Sequence, residues 1–544
     1  MRNFRYFVSG LLIILIIGCF GCIENNTNVK IDSSNDTLGE SIEDSVFRRI
    51  WDDVPTLDPH HVSDTTSATI VVELFSGLVT ISPDLLVVPD LAESWDISAD
   101  GITYTFYLRD NAKFQNGRKV TAYDVEYSLE RALNPSTMSP TVKNFLGDIV
   151  GSDDVMNGIT KKISGVKVLD EMTISISIDQ PKAYFLSKLT YPVSFVVDRN
   201  DIEKNDNSWF LNPNGTGPFI LDKYVVGEEL ILRKNPNYYL NLPKLDYVIF
   251  KLSGGSALAM YENNEIDITG VGVADLDRIS NVDDPLNSEV VVAIPGFDLT
   301  YIGFNVSMPP FDDPNIRKAL AMSINKQLIA SQVLLDLVVP ANGILPPNFP
   351  GYNLEFNQIN PDYEYNLELA RELILNSKYS NNVPRIIITV PGMGGSVGLD
   401  LQVITQSWID ELLLNVEIEQ VEWATFLDDL NARTFQSFAG MGWQADYPDP
   451  ENFLDVNFHS KSPLNHTGYN NVNVDTLLED ARIKQSWEER KLLYNEAEKI
   501  IVQDAPIIPL WHSGENMVLI KPHVKGYLLT PLIIPKLKYV YIEK

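Results

Sequence analysis

Both cysteines of this chain, Cys19 and Cys22, lie at the end of its one long apolar segment, so nothing beyond residue 22 carries a thiol. Whatever folds after that point is held by apolar burial and hydrogen bonding, without a disulfide framework, a thiolate metal site or a cysteine nucleophile. At 544 residues the chain exceeds what one hydrophobic core can organise, and its length predicts roughly three to four domain-sized units. A formal charge of -31, from 42 basic against 73 acidic residues, repels phosphate backbones and argues against a nucleic-acid partner.

The N-terminus reads as an export signal: Arg2 and Arg5 form a charged region, and an apolar stretch follows from about Phe7 to Ile17. The competing reading is a membrane span, because the uncharged run from Tyr6 to Ile23 approaches the shortest length that crosses a bilayer. The sequence Ile16-Ile17-Gly18-Cys19 resembles a lipobox, in which the cysteine is lipidated and becomes the mature N-terminus. Cys19 is the expected site, with Cys22 the alternative. Residues 1–18 are then the signal peptide. Residues 19–45, rich in Asn, Asp, Ser, Thr and Glu, bury too little to fold and form a lipid-anchored tether.

Beyond the tether, strand and helix signals alternate in an α/β pattern. Residues 102–108 alternate in strand fashion. Thr121-Ala122-Tyr123-Asp124 supplies a capping box for a helix with Val125, Leu129 and Ala132 on one face. Asp312-Asp313-Pro314 opens another helix with Ile316, Leu320, Ile324 and Leu328 spaced by four, and Ser486 caps a third whose apolar stripe is Leu493, Ala497, Ile500 and Ile501.

Three groups of residues could carry chemistry. Residues 442–453 set Trp443, Gln444, Asp446 and Tyr447 beside rigid prolines, a combination suited to a cationic, partly apolar small molecule. Asp449, between Pro448 and Pro450, reads as a turn residue. Gly394-Gly395-Ser396-Val397-Gly398, after a strand at 385–390 and before a helix through Trp408 to Leu414, matches the G-x-S-x-G elbow of a serine hydrolase. Such a short pattern also recurs by chance in glycine-rich turns. His60-His61 could serve a transition metal with a third ligand brought by folding, but adjacent histidines on a strand face opposite ways. No metal or cofactor is expected.

Ordered blocks complete the reading: Leu57-Asp58-Pro59, Leu91-Ala92-Glu93-Ser94-Trp95, Gly215-Thr216-Gly217-Pro218-Phe219, Asn235-Pro236-Asn237-Tyr238-Tyr239, Asn315-Ile316-Arg317-Lys318-Ala319-Leu320 and Ala505-Pro506-Ile507-Ile508-Pro509. In that order and spacing, over about residues 47 to 540, the chain resembles the extracellular solute-binding proteins of family 5, receptors of oligopeptide, dipeptide and nickel ABC importers. The resemblance implies a two-lobed α/β fold of the periplasmic-binding-protein type (class II) that closes on a hinge over its ligand. It places lobe I at 46–85, 196–295 and 516–544, an inserted small domain at 86–195, and lobe II at 296–515. It also implies a monomeric, non-enzymatic receptor on the outer face of the cytoplasmic membrane that delivers peptides to a permease. Nickel chelates or oligosaccharides are alternative cargo. Asp446 falls at the aspartate that pairs with the ligand ammonium in peptide-binding members, with Trp443, Gln444 and Tyr447 lining the same pocket.

Overall fold

The computed structural model describes residues 45–354, 364–392 and 397–543. The expected signal peptide, Cys19, Cys22, the tether through residue 44, and Ser396 lie outside the described residues. Among the described residues no helix is long and apolar enough to cross a membrane.

Two seven-stranded sheets organise the molecule. In the first, Val46–Ile50 lies parallel to Tyr247–Lys251 and Ile268–Gly270, and antiparallel strands extend the sheet to Phe219–Val225 on one side and Val290–Val292 on the other. The alternating burial of Glu229–Lys234, with Leu230 and Leu232 fully buried, shows one covered face. In the second sheet Asp298–Phe304 is central, flanked antiparallel by Ile507–Ser513 and Ser437–Phe438; beyond the latter run Ile386–Pro391 and Val416–Val421, parallel to each other. Strands drawn from distant parts of the chain therefore build each lobe.

The chain passes between the two sheets twice, at residues 293–297 and 514–516, and the crossings run side by side. The N–H of Ala293 donates to the Asn516 carbonyl (2.8 Å), and that of Ser513 to Asp298 Oδ1 (2.8 Å). Two short adjacent connections are the geometry of a hinge, since few backbone dihedrals need change for the lobes to rotate.

A separate four-stranded antiparallel sheet, from Ala92–Ile97, Thr103–Leu108, Thr173–Ser177 and Val166–Asp170, carries the helix Ala122–Leu133. That helix begins with the Thr121/Asp124 capping box and buries Val125, Leu129 and Ala132. Strand Val87–Pro89 pairs with Val79–Ile81, so the expected boundary at residue 86 falls inside a paired ribbon.

Two helix readings change. The helix capped by Asp313 ends at Met322, and Asn325 caps a new one, Lys326–Gln332, accepting from the Leu328 N–H (3.0 Å). The cap resets the face, so Ile324 is buried while Leu328 is 55% exposed. Helix Trp487–Asp504 starts at its Ser486 cap, but its buried face carries Arg490, Tyr494 and Glu498 as well as Ala497 and Ile501. A purely apolar stripe hides polar residues that are buried because they have partners.

Candidate ligand-binding cleft

A cavity of about 1060 Å³ lies between the sheets, walled by Val54, Asp64 and Thr65 of the first lobe and by Trp423, Trp443, Gln444 and Asp446 of the second. It sits at the upper end of the usual size for small-ligand sites. The wall is built from the backbone outward. Gly442–Gln444 pairs antiparallel with residues 298–300. A Cβ on Gly442 would stand 2.4 Å from the Leu299 carbonyl oxygen, so only glycine permits this approach. Trp443 and Gln444 are thereby fixed at the cavity edge, with Gln444 Nε2 donating to the Pro531 carbonyl (3.4 Å).

Asp446 is held at two points by Asn452. Its N–H donates to Asn452 Oδ1 (2.8 Å), and Asn452 Nδ2 donates to Asp446 Oδ2 (2.9 Å). Asn452 is buried on the helix Glu451–Phe458, every residue of which is buried. No Lys or Arg pairs with Asp446 among the described residues. Burial pushes its carboxyl up to about 7 against the lowering effect of the Asn452 amide, and the Glu451 charge adds to the rise. Asp52, Asp53, Asp64 and Glu422 also line the cavity, while no described Lys or Arg does. His466 does too, but burial and then Arg433 bring it down to about 4 and keep it neutral.

Two expected residues stand elsewhere. Tyr447 does not wall the cavity: its ring is fully buried, edge-on to Phe145 with centroids 6.2 Å apart, and its hydroxyl donates to Glu451. It therefore belongs to the core rather than to the cavity wall. Asp449 is more than a turn residue. It accepts the Glu451 N–H (3.1 Å), and both its oxygens accept from Nη2 of the buried Arg490 (2.7 and 2.8 Å).

The histidine pair forms no metal site. His60 is fully buried; Arg131 donates to Nδ1 (2.7 Å), which leaves the proton on Nε2 to donate to the Phe195 carbonyl (3.1 Å). Burial and then Arg131 bring its pKa down to about 3. His61 bonds instead to the Thr137 carbonyl. Among the described residues no three His, Cys, Asp or Glu side chains gather to hold a metal.

Residues that the sequence did not single out bridge the inserted segment and the second lobe. Lys188 Nζ reaches Glu451 Oε1 at 2.9 Å, with both side chains about 95% buried (5% and 4% exposed). On its own side Lys188 also donates to the Asn144 carbonyl (2.7 Å) and Asp148 Oδ2 (3.1 Å). Burial alone would lower its pKa, but Asp148 and Glu451 more than offset this and hold it above the usual lysine range. Asn144 Nδ2 donates to Ser462 Oγ (3.0 Å), and Gln485 Nε2 to the Pro181 carbonyl (3.2 Å). The cleft is closed along this seam.

A two-lobed α/β molecule with paired crossings and a large cleft is the architecture of an extracellular solute receptor. The chain belongs to the bacterial extracellular solute-binding proteins of family 5, whose middle-region model matches residues 87–465. It is 31% identical over 510 residues to the probable deoxycholate-binding periplasmic protein YgiS of Escherichia coli, covering 90% of this chain and 91% of that one. It is 30% identical over 505 residues to the periplasmic oligopeptide-binding protein OppA of the same organism, covering 90% of each. Among solved structures, the E. coli murein tripeptide binding protein MppA superposes with a TM-score of 0.83 at 27% identity, over 92% of this chain and 99% of that one. Against the unliganded open form of MppA the score is 0.64 at 28% identity, over 92% and 98% of the two chains. The lower score against an open form agrees with the closed seam.

Proposed function

We propose that this chain is the substrate-binding receptor of an ABC importer, that it captures peptides in the interlobe cleft, and that Asp446 receives the ligand's α-ammonium. The observation that carries the reading is the state of Asp446: a carboxyl clasped by a neutral amide at the cavity wall, with no basic side chain beside it. An ammonium entering the closed cleft makes a charge-assisted hydrogen bond there. Trp443 and Gln444 supply an aromatic face and an amide to the same ligand, and Tyr447 serves the closed seam.

Cargo such as deoxycholate, which YgiS is named for, is anionic. A cavity wall lined by five carboxylates favours a ligand with a free amine, which deoxycholate lacks and a peptide carries. Native mass spectrometry of freshly purified protein tests this, because a closed cleft retains its cargo. The expected result is a ladder of co-purified peptide masses; a single bile-acid, sugar or chelate mass would displace the peptide reading.

The receptor acts outside the cell, tethered through Cys19, delivers its cargo to the permease and performs no catalysis. Cys19→Ser is expected to yield unprocessed protein without lipid, read by intact-mass analysis of the membrane fraction. Lipid still attached at Cys22 in that variant would move the anchor to Cys22.

A further inference from the structure

A second chamber of about 180 Å³ adjoins the cleft, and the two share Thr65, Gln444 and Ile533 as lining. Its charge is the reverse of the cleft's. Arg49, on strand Val46–Ile50, and Lys536, near the C-terminus, both line it. The Arg49 guanidinium lies 4.2 Å from the centre of the Trp51 ring, and its Nη1 donates to the Tyr527 hydroxyl (3.1 Å). Its Nε is buried without a hydrogen-bond partner. Lys536 stands 5.0 Å from the centre of the Tyr527 ring. Neither cation forms an ion pair with a carboxylate among the described residues. A buried guanidinium N–H left without an acceptor is costly unless a ligand acceptor meets it.

Glu73, also on the wall, is compatible with that anion. It is 1% exposed; Oε1 accepts the Leu537 N–H (2.9 Å), and Oε2 has no partner. Burial pushes its carboxyl up to about 7, so near neutral pH it can hold a proton and donate to an incoming oxygen.

The neck of the chamber is close to the ammonium anchor in sequence and in space. Gln444 lines both cavities and stands two residues before Asp446, a separation of about 7 Å in extended chain. We infer that the Arg49/Lys536 chamber is an anion subsite that takes a ligand carboxylate placed within one or two residues of the ammonium held at Asp446. This rests on the peptide reading above and narrows it to peptides with an acidic first residue or to very short peptides whose terminal carboxylate reaches the chamber. The five acids lining the cleft disfavour a carboxylate beside them, so the basic chamber and the acidic wall together favour one direction for the ligand.

Calorimetry on the full mature protein separates the sources. Glu-Ala-Ala is compared with Gln-Ala-Ala, and Ala-Ala with its C-terminal amide, on wild type and on the Arg49→Gln/Lys536→Gln double variant. The expected result is at least a tenfold preference for the carboxylate member of one pair, abolished in the double variant while the neutral member binds as before. Loss of preference in the first pair assigns the chamber to the first side chain, and in the second pair to the terminal carboxylate. No preference in wild type, or one that survives in the double variant, overturns the subsite while leaving the peptide reading standing. If no peptide binds either protein, the peptide reading has failed, and glutarate titrated alone decides the subsite: binding lost in the double variant supports it, and equal or absent binding overturns it.

Discussion

Asp446→Asn will weaken binding of free-amine peptides by more than tenfold and leave the same peptides, N-acetylated, almost unaffected. The substitution keeps the shape and keeps an acceptor for the Asn452 amide; only the charge is lost. Removing one partner of a buried, hydrogen-bonded ion pair costs about 2–5 kcal/mol, chiefly because the other charge stays buried and unpaired. A dependence on pH follows with a definite sign. Burial pushes the Asp446 carboxyl up to about 7 from 3.8, so the folded protein holds this proton more tightly than the unfolded chain. Ionisation therefore costs stability progressively from the unfolded pKa upward and in full above about pH 7. A ligand ammonium relieves that cost. The thermal shift on adding peptide should be larger at pH 8 than at pH 5.5, and affinity should fall by up to about 30-fold between them. Equal losses for free and acetylated peptides in the variant, or a flat pH profile in wild type, would show that Asp446 does not read the ammonium. Asp449→Asn is not a neutral control, because it strips the buried Arg490 of its carboxylate and should lower stability by about 3–5 kcal/mol.

What could be read from the sequence follows the range of the interactions. The capping box at Thr121, the cap at Ser486 and the alternation of residues 103–108 are local patterns, and the elements form where those patterns lie. The family was legible from ordered short blocks, each of which answers a structural need. Gly215 and Gly217, for example, press against the end of helix Thr65–Leu74, where added Cβ atoms would stand 2.0 Å and 2.4 Å from the carbonyl oxygens of Leu74 and Glu73. Asp446 stood out because aromatic and rigid residues surround it in the chain. Tyr447 shared those neighbours yet faces the core, because the chain bends after the strand Gly442–Gln444 and the ring packs on Phe145, which lies far away in sequence. Asn452 lay inside the same segment, but helix Glu451–Phe458 carries four polar residues among its eight and is nonetheless wholly buried, so composition did not mark Asn452 out. Lys188 and Arg49 carried no signal. Their partners and their cavity are assembled from segments hundreds of residues apart, and no local pattern records that.

Glu451→Gln is expected to shift the unliganded protein towards an open form and to lower peptide affinity more than tenfold with Asp446 intact. Each half of the Lys188–Glu451 pair is satisfied on its own side: Lys188 by Asp148 and the Asn144 carbonyl, Glu451 by the Tyr447 hydroxyl. For this pair, opening therefore breaks only the Lys188–Glu451 contact and returns both groups to water, while the Asn144–Ser462 and Gln485–Pro181 bonds of the same seam also part. In the closed form the variant leaves Lys188 buried beside a neutral amide. Because Asp148 still pairs with Lys188, the cost lies at the lower end of the range for a broken buried pair, about 2 kcal/mol; it falls on the closed state alone, and binding must overcome it because only the closed state encloses the ligand. One effect opposes this. Glu451 raises the Asp446 pKa, and its removal favours the ionised anchor. That influence ranks below both burial and the Asn452 hydrogen bond, so the seam dominates. Small-angle scattering should show a larger radius of gyration for unliganded Glu451→Gln than for wild type. The further change Lys188→Met should recover part of the lost affinity, since no buried cation then faces an amide and Asp148 keeps Lys182 as its partner. An unchanged radius together with unchanged affinity in Glu451→Gln would show that the pair does not latch the lobes.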